Sequence, residues 1–528
     1  MLTYFVIIPV LISVFMFMFS GARSARIIAG FFQTALTGFT FYLFLQSRTG
    51  RIYTYVGDFD GYLGIALRAD NLAVVFTLLT TFIFSLITLY SINERNSRTF
   101  WFLLFLLEAS LIGLFLTRDF FNTFVLVEVG TVVVTILLMY DRKRRNLFPG
   151  MTFLMINIIV MQFYLFGMGY LYMLTGTLDL VGVTEGLANL ETSQLILPYA
   201  LIMTAIASKC SLLPLVTWLP KVNSMPGARS SIAALMSGLH VKSGVYMFIR
   251  FQDVFEPIAA EEFFMVIGII TGIAGVILSL AQKDIKLILA YSTIAQIGLI
   301  MIGLNMDYEY AYYGSLFHIV NHAIFKTSLF MTTSMIIMRY RTKNIDEIRG
   351  LWHTNKPVAI ATLLAIFGIV GMPLFNGSVS KYFMMGGADG LLEWSMIILN
   401  LGTILICLKY SAMFFGKPKG ELREVGADWC RQAAVIIFGI VCFVLGVFGE
   451  AFKNFTFNLE RHVDALGYLE KAGVFVLSLV AGIIITKYVL KDGQILSRLR
   501  NLDMKFTTVC ASLGLFFALT MIVTGIGI

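Results

Sequence analysis

The chain has 528 residues, 58% hydrophobic and only 13% charged, with a mean hydropathy of +0.84. A soluble domain is about one-quarter charged. A disordered chain, a nucleic-acid-binding domain and an ordinary soluble enzyme are therefore excluded, despite the net charge of +8. What remains is an all-α polytopic membrane protein, long enough for about 16 transmembrane helices.

Apolar runs predict spans at 2–20, 27–46, 70–92, 100–117, 119–140, 149–174, 194–220, 230–251, 262–281, 285–305, 310–338, 357–385, 393–415, 431–449, 472–490 and 506–527. The first run lacks a basic segment before it, so it is expected to be retained rather than cleaved. No Pro- or Ser-rich linker divides the chain, and 1–528 reads as a single membrane domain. Residues 51–68, with Asp58 and Asp60, read as a short surface hairpin. Residues 450–471 read as an amphipathic interfacial helix, because Phe452, Phe455, Phe457, Leu459, Leu466 and Tyr468 alternate with charges.

Loop charge orients the spans. With the N-terminus outside, the inner loops carry Arg23 and Arg26, Arg95 and Arg98, the run Arg142-Lys143-Arg144-Arg145, Lys221 and Arg229, and Lys283 and Lys286. They continue with the 339–356 segment, Lys417 and Lys419, and Lys491 onward. The outer side holds Arg48, Arg51, Arg68, Arg118, Arg250, Lys453, Arg461 and Lys471, roughly one-third as many. Both termini are then outside. The cysteines Cys210, Cys407, Cys430, Cys442 and Cys510 form no C-x-x-C pair and read as small apolar residues.

Several ionisable residues remain inside the spans: Lys209, Lys242, Lys326, Lys381, Lys409, Lys487, Glu108, Glu128, His240, His318 and His322. Each costs roughly 2.5–3.5 kcal/mol or more near the bilayer centre, and the usual uses are ion pathways and proton relays. Lys409 and Lys487 lie near inner helix ends, where snorkelling is the plainer reading. Glu128 is mid-helix and needs a cationic partner or a proton. Glu108 reads either as a second acid or as a contact to a neighbouring subunit.

Lys209 precedes Pro214 and Pro220, and Lys381 follows Gly371, Pro373, Asn376 and Gly377. Both helices, seventh and twelfth in order, should break beside a buried lysine, a pattern of transporter sites. His318, His322 and Lys326 are spaced i, i+4, i+8 and share one helical stripe. That suits a proton relay, with packing as the alternative; a metal site would need a third ligand that the sequence does not offer. Lys242 sits among small residues, and His240, two positions earlier, faces roughly the other way, toward packing or relay. Pairing with Glu128 would keep Lys209 charged. Opening that pair would send its proton toward Lys242, His318 or His322 and Lys326, with Lys381 as the terminal group.

Taken as an ordered set these residues resemble the antiporter-like subunit family of complex I, Mrp-type cation/proton antiporters and membrane-bound hydrogenases. The resemblance covers about Asp70 to Gly416. It rests on Asp119-Phe-Phe-Asn122 leading to Glu128, Lys209 with Trp218-Leu-Pro220, Ser237-Gly-x-x-x-Lys242-x-Gly-x-Tyr246 and Asp284-Ile-Lys286-x-x-x-Ala-Tyr291-Ser292. It continues through Phe317-His318-x-x-x-His322-x-x-x-Lys326 and Gly371-x-Pro373 with Ser380-Lys381. The look is that of the D-type Mrp protein and its hydrogenase relatives; Glu108 is an acid outside the pattern. The resemblance implies two inverted five-helix repeats, 100–254 (helices 4–8) and 262–415 (helices 9–13), with additional C-terminal helices over 431–528.

It further implies a non-redox, proton- or sodium-translocating subunit of a multisubunit assembly. That assembly would be either a complex-I-like or hydrogenase oxidoreductase or a cation/proton antiporter, in the cell inner (cytoplasmic) membrane. Partners would be other membrane subunits, including further antiporter-like and small ones, with protons or sodium as cargo, lipid around, and no nucleic acid. No motif for quinone, nickel, flavin or nucleotide is present, so no cofactor is assigned to this chain. Two other readings stand beside this one: a stand-alone secondary transporter for an organic solute, and a structural membrane anchor for a redox partner.

Overall fold

The computed structural model describes residues 1–19, 21, 23–58, 64–94, 96–140, 144–225, 229–418, 422–424, 426, 428–457, 463–488, 494–500 and 505–526. Asp60, Arg95, Arg142, Lys143, Lys419, Leu459, Arg461 and Lys491 lie outside them, as do the side chains of Asp58, Arg144 and Arg145.

Two helices open the chain, α1 (Thr3–Phe19) and α2 (Arg23–Ser47). The expected hairpin follows as β1 (Ile52–Tyr55) and β2 (Ala66–Ala69), antiparallel with Ile52 opposite Ala69. Then come α3 (Asn71–Ser91), α4 (Arg98–Leu116) and α5 (Phe120–Met139). Each of these three begins at a side-chain cap. Asp70 accepts from the Ala73 amide at 2.9 Å, Ser97 from Phe100 at 3.2 Å and Asp119 from Asn122 at 2.6 Å. Such caps satisfy amides that a helix start leaves orphaned.

The middle of the chain runs α6 (Arg144–Thr175), α7 (Leu180–Leu187), α8 (Thr192–Lys209) and α9 (Trp218–Ser224). Next, α10 (Ser230–Leu235) passes through a π-turn, Met236–His240, into α11 (Val241–Val254). Then follow α12 (Glu261–Ala281), α13 (Ile285–Leu304), α14 (Glu309–Tyr340) and the short α15 (Leu351–Thr354). The remainder is α16 (Lys356–Val370), α17 (Asn376–Met384), α18 (Gly390–Ser411) and α19 (Trp429–Val447). It closes with α20 (Gly449–Phe457), α21 (Ala465–Tyr488), α22 (Gln494–Arg500) and α23 (Phe506–Ile526).

Twelve helical stretches among the described residues are long and apolar enough to cross a membrane, so the chain is a multi-pass helical membrane protein. Burial sorts centre from rim. The most apolar part of Ser231–Val254 is 100% buried and that of Ile285–Leu304 89%, against 17% for Leu466–Tyr488. Thus α11 and α13, with the largely buried α14, form the centre, and α21 skirts the rim.

The 450–471 segment is not one interfacial helix. Only Gly449–Phe457 forms the short α20, while Leu466 and Tyr468 already belong to α21, which starts at Ala465. Lys453, expected on the outer surface, is fully buried, with its Nζ 3.8 Å from the centre of the Phe383 ring. Phe457 is buried and Phe452 packs on Phe317 with ring centroids 5.9 Å apart, while Phe455 stays exposed.

A paired local geometry recurs. Asp119 forms an isolated antiparallel bridge with Asp179, and Asp284 forms one with Asn344 at the same sequence spacing. Asp119 caps α5 and Asp284 caps α13. Each capped helix is followed by a 32-residue helix, α6 or α14, and later by a broken one.

Candidate functional site

The first broken helix ends at Lys209. Its backbone turns through a left-handed Ser211 (φ 56°) and resumes at Trp218. The Trp218 indole donates to the Ser208 carbonyl at 2.8 Å, covering one of the acceptors that the helix end exposes. Lys209 is 5% exposed. Its Nζ donates to Asn157 Oδ1 on α6 at 2.7 Å and to Thr131 Oγ1 on α5 at 3.1 Å.

Glu128 stands one turn before Thr131 on α5, half-buried. The direct contact pair with Lys209 expected from the sequence is not formed among the described residues. The lysine is bonded to the amide and the hydroxyl instead, and Glu128 Oε1 is buried with no hydrogen-bond partner.

Lys242 lies two residues past the π-turn and is fully buried; its Nζ donates to the Ser237 carbonyl. A π-turn loosens the local bonding register, which leaves such a carbonyl within the lysine's reach. His240 faces the other way, edge-on to Trp218 with ring centroids 6.1 Å apart, on the Lys209 side. The first break packs closely on α11: a Cβ added to Gly244 would come within 2.6 Å of the Lys209 backbone carbon.

His318, His322 and Lys326 are all fully buried on α14. Lys326 donates to the Leu289 carbonyl at 3.0 Å and to the Ser292 hydroxyl of α13. Both ring nitrogens of His322 are without a hydrogen-bond partner among the described residues, and the ring stands edge-on to Phe325 with centroids 5.4 Å apart. His318 contacts Gln296 Oε1 at 3.0 Å and Ser380 Oγ at 2.8 Å.

Ser380 adjoins Lys381, on the second half of the second broken helix. There Gly371 (φ 78°) and Leu374 (φ 70°) adopt left-handed conformations between α16 and α17. Lys381 Nζ donates to the Ile369 carbonyl and to Asn400 Oδ1, each at 2.8 Å.

Two openings adjoin the breaks. A cleft of about 460 Å³ beside Pro214 is edged by Thr152, Thr217, Lys221 and Gln282, on the side that loop charge assigns as inner. A cavity of about 40 Å³ beside Lys381 is edged by Ser378, Tyr468 and Lys471, on the side that loop charge assigns as outer. Each has room for water among polar groups.

The structure thus places His318, His322 and Lys326 along α14, with His318 joined through Ser380 to the residue before Lys381, while Lys209 is buried on α8, Lys242 on α11 and Glu128 half-buried on α5. Glu108 stands apart from them. It is fully buried on α4 against Gln33 of α2, so it does not contact a neighbouring subunit. Lys409 bonds the Leu280 and Gln282 carbonyls at the end of α12, each at 2.6 Å, and Lys487 is exposed at its helix end, matching the structural reading of both.

Sequence reasoning missed the neutral partners Asn157, Thr131, Gln296, Ser292, Ser380 and Asn400. The signal available was an amide or hydroxyl inside an apolar run. It also missed a cluster at the start of α3 in which Arg250 reaches Asp70 at 2.5 Å and Arg68 reaches it at 3.0 Å.

The NADH:quinone oxidoreductase/Mrp antiporter transmembrane family model matches residues 117–408, which include both broken helices. The chain is 28% identical over 390 residues to the D-type protein of the Na(+)/H(+) antiporter of Alkalihalophilus pseudofirmus, covering 72% of this chain and 79% of that one. It is 29% identical over 479 residues to the A-type protein of the same organism's Na(+)/H(+) antiporter, covering 82% of this chain but 59% of that protein.

Among solved structures, a chain of the Mrp complex from Dietzia sp. superposes with a TM-score of 0.79 at 19% identity, covering 91% of this chain and 99% of that one. A chain of respiratory complex I from Thermus thermophilus gives 0.75 at 22% identity, covering 91% and 100%. These two likenesses speak to the fold alone. With more than half of its length matched by the family model, the chain belongs to the NADH:quinone oxidoreductase/Mrp antiporter transmembrane family.

Proposed function

We propose that the chain is the proton-translocating, antiporter-like subunit of a multisubunit membrane assembly, with sodium as the alternative cargo. The observation that carries this reading is the set of buried bases on the two broken helices, α11 and α14, with each break beside an opening on a different side. Buried charges of this number are retained where ions move.

Protons would enter near the first break and reach Lys209. A change in the distance of Glu128 would set how firmly the ammonium is held, while Asn157 and Thr131 accept its hydrogen bonds without fixing its charge. The proton would pass by Lys242, His322 and Lys326 to His318, and through Ser380 to Lys381 and the outer cavity. Each occupied site repels charge on the next, so the steps couple without a large domain motion.

The recurring caps support two inverted repeats over 100–254 and 262–415, with 431–528 as additional helices. Asp119 sits beside the outer Arg118 and Asp284 beside the inner Lys283, so equivalent starts would lie on opposite faces. Sixteen crossings with both termini outside an inner membrane fit this arrangement. Exposed apolar residues on α5, such as Phe121, Val129 and Val132, offer a face for lipid or for a further membrane subunit. Any redox step would belong to partners.

The test is proton flux in vesicles holding the whole assembly, with Lys242→Met against wild type, in sodium and in choline media. A loss of flux of tenfold or more, about 1.4 kcal/mol or more in barrier, is expected. Unchanged flux would refute the reading, and flux that requires sodium would name the other cargo.

A further inference from the structure

We propose that Glu108 is a proton-binding site separate from the lysine–histidine series, in which its carboxylic acid and the Gln33 amide form a two-bond ring fastening α2 to α4. Both residues are fully buried. The Gln33 amide nitrogen donates to Glu108 Oε1 and also to the Thr81 carbonyl of α3 at 3.4 Å. A carbonyl only accepts, so Thr81 fixes the nitrogen end of the amide on its own side.

That orientation leaves Gln33 Oε1 and Glu108 Oε2 buried, each without a hydrogen-bond partner among the described residues. Two acceptors with no donor between them are costly to bury. An amide edge and a carboxylic acid edge are complementary, one donor and one acceptor on each. A single proton on Glu108 Oε2 donates to Gln33 Oε1, closes the ring and satisfies both atoms at once.

No described charge competes for the carboxyl group. The titratable side chains described on the elements packed near it are Tyr4 on α1, Arg26 and Tyr42 on α2, Tyr90 on α3, Arg98 on α4 itself, Glu128 and the capping Tyr140 on α5, His240 at the end of the π-turn, and Lys242, Tyr246, Arg250 and Asp253 on α11. None hydrogen-bonds or ion-pairs with Glu108. Arg26 is held at the helix end by the Ile92 and Glu94 carbonyls at 2.8 Å, Lys242 by Ser237, and Tyr246 by the Phe115 carbonyl.

The ring has mechanical meaning because it ties α2 directly to α4, while one face of α2 stands open. Phe31, Phe32, Phe39 and Tyr42 are exposed, and an apolar groove of about 940 Å³ runs along the helix against α3, α14 and α19. Besides the ring, its polar ties inside the bundle run to α3: Thr37 to the Thr81 carbonyl at 3.0 Å and Thr40 to the Thr81 hydroxyl at 2.8 Å.

Infrared spectroscopy of the assembly in vesicles at neutral pH tests the site independently of flux. A protonated carboxylic acid band is expected, absent in Glu108→Gln and shifted to higher frequency in Gln33→Leu, where the ring bonds are gone. The melting midpoint should fall in Glu108→Leu and be kept in Glu108→Gln, which rebuilds the ring as an amide pair. A spectrum unchanged by Glu108→Gln, or a Glu108 band insensitive to Gln33→Leu, would overturn the proposal. So would a band that disappears on adding sodium at constant pH, since the oxygens would then form a sodium site. If Glu108→Gln fails to assemble, Gln33→Leu decides alone.

Discussion

The ammonium of Lys381 lies 2.8 Å from the carbonyl oxygen of Ile369, so the second half of one broken helix reaches back to the exposed end of the first. The last carbonyls of a helix lack intrahelical donors and carry the negative end of its dipole. A cation is stabilised there without a counter-charge. Lys381→Met leaves that carbonyl and Asn400 Oδ1 without this donor in a buried site. It should cost roughly 1–3 kcal/mol of stability and abolish ion flux. Asn400→Ala, which keeps the Ile369 contact, should lower flux without abolishing it; denaturation midpoints and vesicle flux on the two variants check this.

Gly244 is required by close approach rather than by its backbone angles. A methyl group there would meet the Lys209 carbon at 2.6 Å and the Cys210 nitrogen at 2.8 Å, both backbone atoms. Gly244→Ala should therefore push α11 off the end of α8, costing roughly 1–3 kcal/mol, and slow flux by moving Lys209 from its partners. Gly169→Ala, where nothing lies within 4 Å, is the matched control and should leave both measurements unchanged.

Asn157 accepts from Lys209 as a neutral amide. Asn157→Asp would supply a fixed negative charge at 2.7 Å, and charge-assisted bonds are roughly twice as strong as neutral ones. The ammonium should be trapped and the rate should fall on the order of tenfold. Initial rates of vesicle acidification on this variant and on wild type measure the effect; a faster rate would reverse the role assigned to the amide.

At the cap of α3, burial opposes the charge of Asp70, but Arg250 and then Arg68 outweigh it and hold the carboxyl below its ordinary range. A depressed carboxylate contributes stability above its unfolded value of about 3.9, and loses it as pH falls through the folded value. Asp70→Asn should lower the melting midpoint near neutral pH, by roughly 1–3 kcal/mol in stability, and should flatten its fall toward acid. Melting curves from about pH 3 to pH 7 would show this.

What was legible in the sequence was what costs free energy to place in a bilayer. Lys209, Lys242, His318, His322, Lys326 and Lys381 stood out because charge in an apolar run is expensive. The breaks stood out because Pro214, Gly371 and Pro373 cannot continue a regular helix.

Tertiary detail was not legible. Whether Glu128 touches Lys209 depends on how α5, α6 and α8 pack, and Asn157 and Thr131 took the lysine instead. The π-turn before Lys242 has no marker in residue type. The partner of Glu108 lies 75 positions away on a helix that pattern alone describes as lipid-facing. The alternation over 450–471 suggested an interfacial helix, because periodicity reports an apolar face without saying what covers it.

The central claim is that the buried series is one conduction path, and it is tested most directly by proton flux through the assembled complex in vesicles with Lys209→Met and Lys381→Met, singly and together. Lys487→Met, at an exposed position, is the control. In a single series path either substitution stops conduction and the double variant is no worse. The account predicts flux lost in both single variants, unchanged loss in the double, and normal flux in the control. Flux at the wild-type rate in either single variant, with assembly intact, would contradict it.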